Sequence, residues 1–94
     1  MTLEQVNASE LRDMNMKALS AELSHLRGSM RETATYADQD IAVGQVAAAE
    51  KAAREGDKAT VIRHLKNVGK WTLDVATKIG VNLASEAIKK ASGL

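Results

Sequence analysis

Ninety-four residues carry thirteen Lys or Arg against twelve Asp or Glu, a formal net charge of +1, with no cysteine, no proline and no phenylalanine. A chain of this size makes one domain that buries only about 60–65% of its unfolded surface, which leaves no room for separate cofactor and substrate halves. The lack of cysteine excludes a disulfide scaffold, a thiolate metal site and a catalytic thiol, while sixteen alanines with one Trp and one Tyr argue against a β-sandwich and for an all-α chain.

Residues 1–12 predict a short N-terminal helix or arm, in which Thr2 with Gln5 and Asn7 with Glu10 are candidate capping boxes over a thin apolar set of Leu3, Val6 and Leu11. A single helical domain is expected over 13–94. Its first helix, 13–33, is set by Met16, Leu19, Leu23, Leu26 and Met30, whose spacings of 3, 4, 3 and 4 make an apolar seam on one helix face. Gly28 stands two positions off that seam and costs the helix about 1 kcal/mol relative to Ala. A second helix over 36–55 is expected to take the Thr35 hydroxyl as its cap, with Asp38 and Asp40 placed well against the helix dipole. Its interior is largely methyl-sized, from Ala47 to Ala53, and lets neighbouring axes approach closely. Gly56-Asp57 reads as a left-handed helix stop followed at once by an N-cap. The third helix, 58–68, presents Val61, Ile62, Leu65 and Val68 inward, and Gly69 either stops or kinks it. The fourth, 70–91, buries Leu73, Ala76, Ile79, Gly80, Leu83, Ala84, Ala87 and Ile88, with Gly80 and Ala84 as a close-approach pair and Lys89 and Lys90 at its C-terminal end.

Residue types that carry chemistry are sparse. His25 and His64 stand beside seam residues without His-x-x-x-His or Glu-x-x-His spacing, so both read as structural or solvated rather than as metal ligands. Nothing in the spacing brings a serine, a histidine and an acid together. The six glycines stand at 28, 44, 56, 69, 80 and 93, so no Gly-rich phosphate loop exists. No enzyme activity, cofactor or metal is expected.

Charge is unevenly divided: residues 1–47 hold seven acids and four bases, residues 48–94 five acids and nine bases. Opposite halves of that kind attract within a bundle or between subunits. Lys58, Arg63, Lys66 and Lys70 form a basic face with no acid from Lys58 through Leu73, where an anion or a nucleic acid could bind. Ala52, Gly56, Ile62 and Leu65 fall at the spacing of the packing alanine, turn glycine and two anchors of a helix-turn-helix, although Lys51 and Asp57 stand where that motif usually has apolar residues. The plainer reading is a solvated cationic face that meets the acidic half or a partner protein. Membrane-surface association of Trp71 to Leu94 is a further alternative, interrupted by Asp74, Lys78 and Glu86.

Methionines 14, 16 and 30 read as ordinary core rather than as an adaptable binding surface. Trp71 either covers the junction of helices three and four or is the first candidate for a contact hot spot. The run Gly69-Lys70-Trp71-x-Leu73-Asp74-x-Ala76-x-Lys78-Ile79-Gly80-Val81, with Gly56-Asp57 and Leu65-Lys66 before it, resembles a small helical module that recurs, often C-terminally, in uncharacterised bacterial proteins. The similarity spans residues 38–94, most specifically 65–81, and implies an accessory module rather than an enzyme. No secretory segment follows Met1 and no stretch reaches 18 apolar residues, so a cytoplasmic location is expected. The sequence therefore predicts a compact bundle of three to four helices, completed where necessary by self-association. Its expected role is as a non-enzymatic protein–protein interaction or oligomerisation module, contacting a second copy or another protein through Met16, Leu19, Leu23, Leu26, Met30 and Trp71. Nucleic-acid or nucleotide binding through the basic face is the alternative function.

Overall fold

The computed structural model describes residue 11 and residues 13–93, so the expected arm over 1–12 lies outside the described residues except for Leu11. The described chain forms five helices: α1 (Met16–Thr33), α2 (Ala37–Arg54), α3 (Lys58–Leu65), α4 (Gly69–Ile79) and α5 (Asn82–Ser92). No strand occurs among the described residues, and the fold is the expected all-α bundle.

Helix α1 starts where Asn15 Oδ1 accepts from the Ala18 amide at 3.0 Å. Its seam turns inward, with Leu19, Leu23, Leu26 and Met30 wholly buried and Met16 half-buried. The most extensive packing in the molecule is that of α1 against α2. Ala42, Val46, Ala49, Ala52 and Ala53 of α2 are buried, so the contact on that side is made almost entirely by methyl groups and one valine. The cap of α2 differs from the expected one. Tyr36, not Thr35, occupies the N-cap position, and the Gln39 side chain reaches back to accept from the Thr35 and Tyr36 amides at 2.8 and 3.2 Å. This is the reciprocal half of a capping box: the long amide satisfies the amides of residues 35 and 36, not the first-turn helix amides that a capping hydroxyl would take.

At the end of α2 the Asp57 amide donates to Ala52 O at 2.9 Å and the Gly56 amide to Ala53 O at 3.1 Å, with Gly56 at φ +74. This paired arrangement satisfies the last carbonyls of the helix and turns the chain back. Asp57 then caps α3 by accepting from the Thr60 amide at 3.1 Å. Helix α3 is shorter than expected: it ends at Leu65, Lys66 is its C-cap, and the Asn67 side-chain amide donates to Arg63 O at 3.0 Å. Residues 66–68 form a turn, so α3 and α4 are separate helices.

The expected helix over 70–91 is two helices. Gly80 at φ +78 lets the Val81 amide donate to Ala76 O at 3.1 Å, the same stop as at Gly56, and Gly80 is therefore a terminator rather than half of a close-approach pair with Ala84. The residue after the stop, Val81, is buried, as is Ala76, whose carbonyl it bonds, and an apolar contact between these positions commonly accompanies such an ending. Helix α5 has no cap from its own preceding side chain. Glu22 of α1 supplies one, its Oε1 accepting from the Ala84 amide at 3.0 Å. A carboxylate there complements the positive end of the helix dipole and joins α5 to α1. Helices α3 and α5 pack on each other, and α4 rests on the second half of α1 and on α5.

Candidate interaction surfaces

No group of three or more His, Asp or Glu able to hold a metal occurs among the described residues. His25 is exposed. His64 is half-buried with Nδ1 at 2.8 Å from Gln45 Oε1, a contact that ties α3 to α2. The chief buried charge is Glu50, which receives Arg27 Nε at 2.7 Å from α1 and the guanidinium of Arg54 one turn along α2. The hydrogen bond from Arg27 to Glu50, and secondly the charge of Glu50, raise the Arg27 pKa above its ordinary value, against a smaller opposing effect of burial. This cluster fixes α1 to α2.

The five seam residues do not form the surface expected of them. Four are wholly inside this chain and Met16 is half-covered, because the seam is what α2, α4 and α5 pack upon. Any docking surface must therefore be built from other residues, and of the expected contact residues Trp71 is the one that lines an open groove.

That groove is formed by Trp71, Asp74, Val75, Lys78 and Ile79 of α4 and by Ser29, Glu32 and Thr33 of α1, and has a volume of about 590 Å³. Its origin lies in the pattern of α4. Helix α4 turns Thr72 and Ala76, a turn apart, into the core, and both are fully buried. The Thr72 hydroxyl is satisfied by Val68 O at 2.9 Å. Two small side chains bring the helix in close, and the larger ones at i, i+4 and i+8, Trp71, Val75 and Ile79, are left half-exposed on the flank. Leu73 on the other flank is also half-exposed, so all four large apolar residues of α4 are incompletely covered. Asp74, exposed, and Lys78, exposed, form the outer edge of the Trp71 stripe.

Sequence reasoning placed Ile79 in the core and gave Val75 no role. The signal that would have found both is the small pair Thr72 and Ala76, which marks the inward face once seam position is judged by size rather than by apolarity alone. Two large apolar residues elsewhere are open to solvent, Tyr36 at 71% and Ile41 at 62%. Single exposed apolar residues of this kind are normal on a surface.

The predicted basic face is divided by the turn. Arg63 lies on α3, Lys66 is the C-cap and Lys70 belongs to the first turn of α4, so the three do not share one helix face as their i, i+3, i+7 spacing had implied. All three are exposed, and Lys58 is half-exposed. Of the four residues at helix-turn-helix spacing, Ala52, Ile62 and Leu65 are buried and Gly56 takes a left-handed turn. Asp57, at one of the two discordant positions, is an exposed N-cap, and Lys51, at the other, is exposed on α2. The Asp57 carboxyl is held below its ordinary pKa of 3.8, first by the Thr60 hydroxyl, then by the Thr60 amide, with a lesser contribution from the charge of Arg63.

No helix of the described residues is long and apolar enough to cross a membrane. Compared with known proteins, the chain matches no family model, no curated protein and no solved structure.

Proposed function

We propose that this chain is a non-enzymatic interaction module that associates with a second copy of itself through α4. One observation carries the reading: α4 buries its two small residues and leaves Trp71, Val75 and Ile79, three of its large apolar ones, half-buried along one flank. Covering such side chains is the main favourable term in association, at roughly 25 cal/mol per Å² of apolar surface. Aromatic residues set in a groove are the usual anchors.

Self-complementarity selects a second copy as the occupant. A two-fold contact places the same patch on both sides, so each residue must find its complement on the same surface. Two α4 helices laid antiparallel about Val75 set Trp71 of one against Ile79 of the other, and bring the Asp74 of each beside the Lys78 of its mate. Both halves of the charge pair and both ends of the apolar stripe are thus present on a single helix.

The test is sedimentation across a concentration series, read together with the emission of Trp71, the only tryptophan. The expected result is a dimer that forms with a blue shift of Trp71 and is lost in Val75→Asp with helicity unchanged. Asp74→Lys alone weakens it, and Asp74→Lys with Lys78→Asp restores it, because the exchange preserves complementarity. A monomer throughout, or a dimer indifferent to Val75→Asp, overturns the reading. If the protein remains monomeric but a photocrosslinker at position 75 captures a different protein in cells, the groove serves a heterologous partner instead, and self-association is rejected.

A further inference from the structure

We propose that α2, the turn at Gly56 and α3 form a helix-turn-helix that binds duplex DNA through Arg63, Lys66 and Lys70, with Lys58 at the edge. This inference does not depend on the α4 contact and concerns a different surface.

Two independent observations support it. The first is geometric. A helix-turn-helix needs a small residue where its two helices cross, a left-handed glycine in the turn, and two apolar anchors a turn apart that hold the second helix against the body. Ala52, Gly56 at φ +74, Ile62 and Leu65 meet these requirements at the required spacing, and the three side chains are buried at 3, 1 and 0% exposure. The turn is fixed by the bonds from the Asp57 amide to Ala52 O and from the Gly56 amide to Ala53 O, at 2.9 and 3.1 Å. The His64 to Gln45 contact at 2.8 Å ties the two helices to each other through side chains.

The second observation is the chemistry of the side left exposed. Ala59, Arg63, Lys66 and Asn67 are open to solvent, Lys70 follows in the next helix, and no acid stands between Lys58 and Leu73. The acids of the turn, Glu55 and Asp57, lie at the opposite end of α3 from Lys66, and Asp57 is engaged by Thr60. The contact therefore runs from the middle of α3 toward the start of α4. Lys66 and Lys70 are suited to phosphate as point charges, while Arg63 carries the guanidinium that pairs with a guanine edge; Asn67 is held at the end of α3 by its bond to Arg63 O. The molecule as a whole is near neutral at +1, so binding by general positive charge would not be expected. What makes the proposal specific is the local run of bases without an acid from Lys58 through Leu73, on both sides of the turn at 66–68.

The experiment is fluorescence anisotropy of a labelled duplex of about 20 base pairs, roughly two helical turns, titrated with the intact protein over a salt series. Three phosphate contacts, from Lys58, Lys66 and Lys70, give a slope of log K against log salt of about −2.7, a loss of about 40-fold between 50 and 200 mM salt. Arg63→Ala with Lys66→Ala and Lys70→Ala is expected to weaken binding at least tenfold at low salt and to flatten the slope. The charge-matched control of Lys17→Ala, Arg31→Ala and Lys89→Ala, all exposed and elsewhere, is expected to change it less than twofold, with circular dichroism confirming that both variants fold. Three results each overturn the proposal: no binding in 50 mM salt, equal weakening by the control triple, or binding to phosphatidylserine vesicles with none to the duplex. Single Lys66→Glu, at an exposed C-cap, keeps the test decisive if the triple variant folds poorly, since it must weaken binding more than Lys89→Glu does.

Discussion

Glu50 shows how a single charged side chain is accommodated inside so small a core. Its side chain is 4% exposed, Arg27 at 29% exposure meets it across the helix interface, and Arg54 at 63% exposure meets it from the same helix. A buried ion pair adds little over well-packed apolar residues, but removing one partner leaves the other charge desolvated. Arg27→Ala is therefore expected to cost about 1–3 kcal/mol, less than for a wholly buried pair because Arg54 still reaches the carboxylate. Arg54→Ala, the loss of a largely solvated i, i+4 contact, is expected to cost about 0.5 kcal/mol or less. Arg27→Leu with Glu50→Leu is expected to recover most of what Arg27→Ala loses, and urea unfolding of the three variants checks the order. Asp57 responds to pH instead. Because folding lowers its pKa below 3.8, its contribution is present above that value and is lost as pH falls from there through the folded pKa. Wild type and Asp57→Ala should differ in urea midpoint at pH 6, and the difference should shrink progressively as pH falls below 4 toward 2; a difference unchanged across that range would show that the carboxylate charge contributes nothing.

At the scale of the element, helix boundaries follow from who satisfies the terminal backbone groups. The Gly56-Asp57 stop was legible in the sequence because glycine was followed by a residue that could cap the next helix. The equivalent stop at Gly80 was concealed: Val81 and Leu83 continue an apolar pattern with helical period, and periodicity alone cannot distinguish a break from a continuous face. The deciding feature was local, a glycine followed by an apolar residue that packs back on the ending helix, and the cap for α5 comes from Glu22, sixty-two residues earlier. A cap donated across such a distance leaves no local signature. The glycines can be separated by experiment. Gly28 and Gly44 are exposed within α1 and α2, and a Cβ on either meets nothing within 4 Å. Gly28→Ala and Gly44→Ala should each raise stability by about 0.5–1 kcal/mol. Gly80→Ala also meets no atom within 4 Å, yet its φ of +78 makes it destabilising by about 1–2 kcal/mol. Thermal unfolding of the three variants should show two increases and one decrease, and a stabilised Gly80→Ala would mean that α4 and α5 join into one helix.

For the whole molecule, the sequence made the inward seam of α1 legible, and yet did not reveal what would cover it. Met16, Leu19, Leu23, Leu26 and Met30 are equally apolar whether they meet another protein or their own chain, and it is the packing of α2 above all, with α4 and, after the break at Gly80, α5, that decides for the interior. Trp71 was legible as a boundary residue because it is large and stands next to a helix break; the groove around it was not, since its other wall comes from residues 29–33, some forty positions away. These placements assign different consequences to two substitutions that would be equivalent if both sites were contact surface. A chain of 94 residues has a total stability of about 5–14 kcal/mol. Leu26→Ala removes a wholly buried side chain and is expected to cost about 2–5 kcal/mol, a large share of that total. Trp71→Ala removes a half-exposed ring at the edge of the groove, and is expected to cost about 1–2 kcal/mol, while eliminating the anchor of the α4 contact proposed above. Urea unfolding and sedimentation on the same samples separate the two effects. Leu26→Ala should lower the unfolding midpoint sharply while its folded fraction still associates, and Trp71→Ala should retain most of its stability as a monomer; an exchange of these two outcomes would place the seam at the interface and the tryptophan in the core.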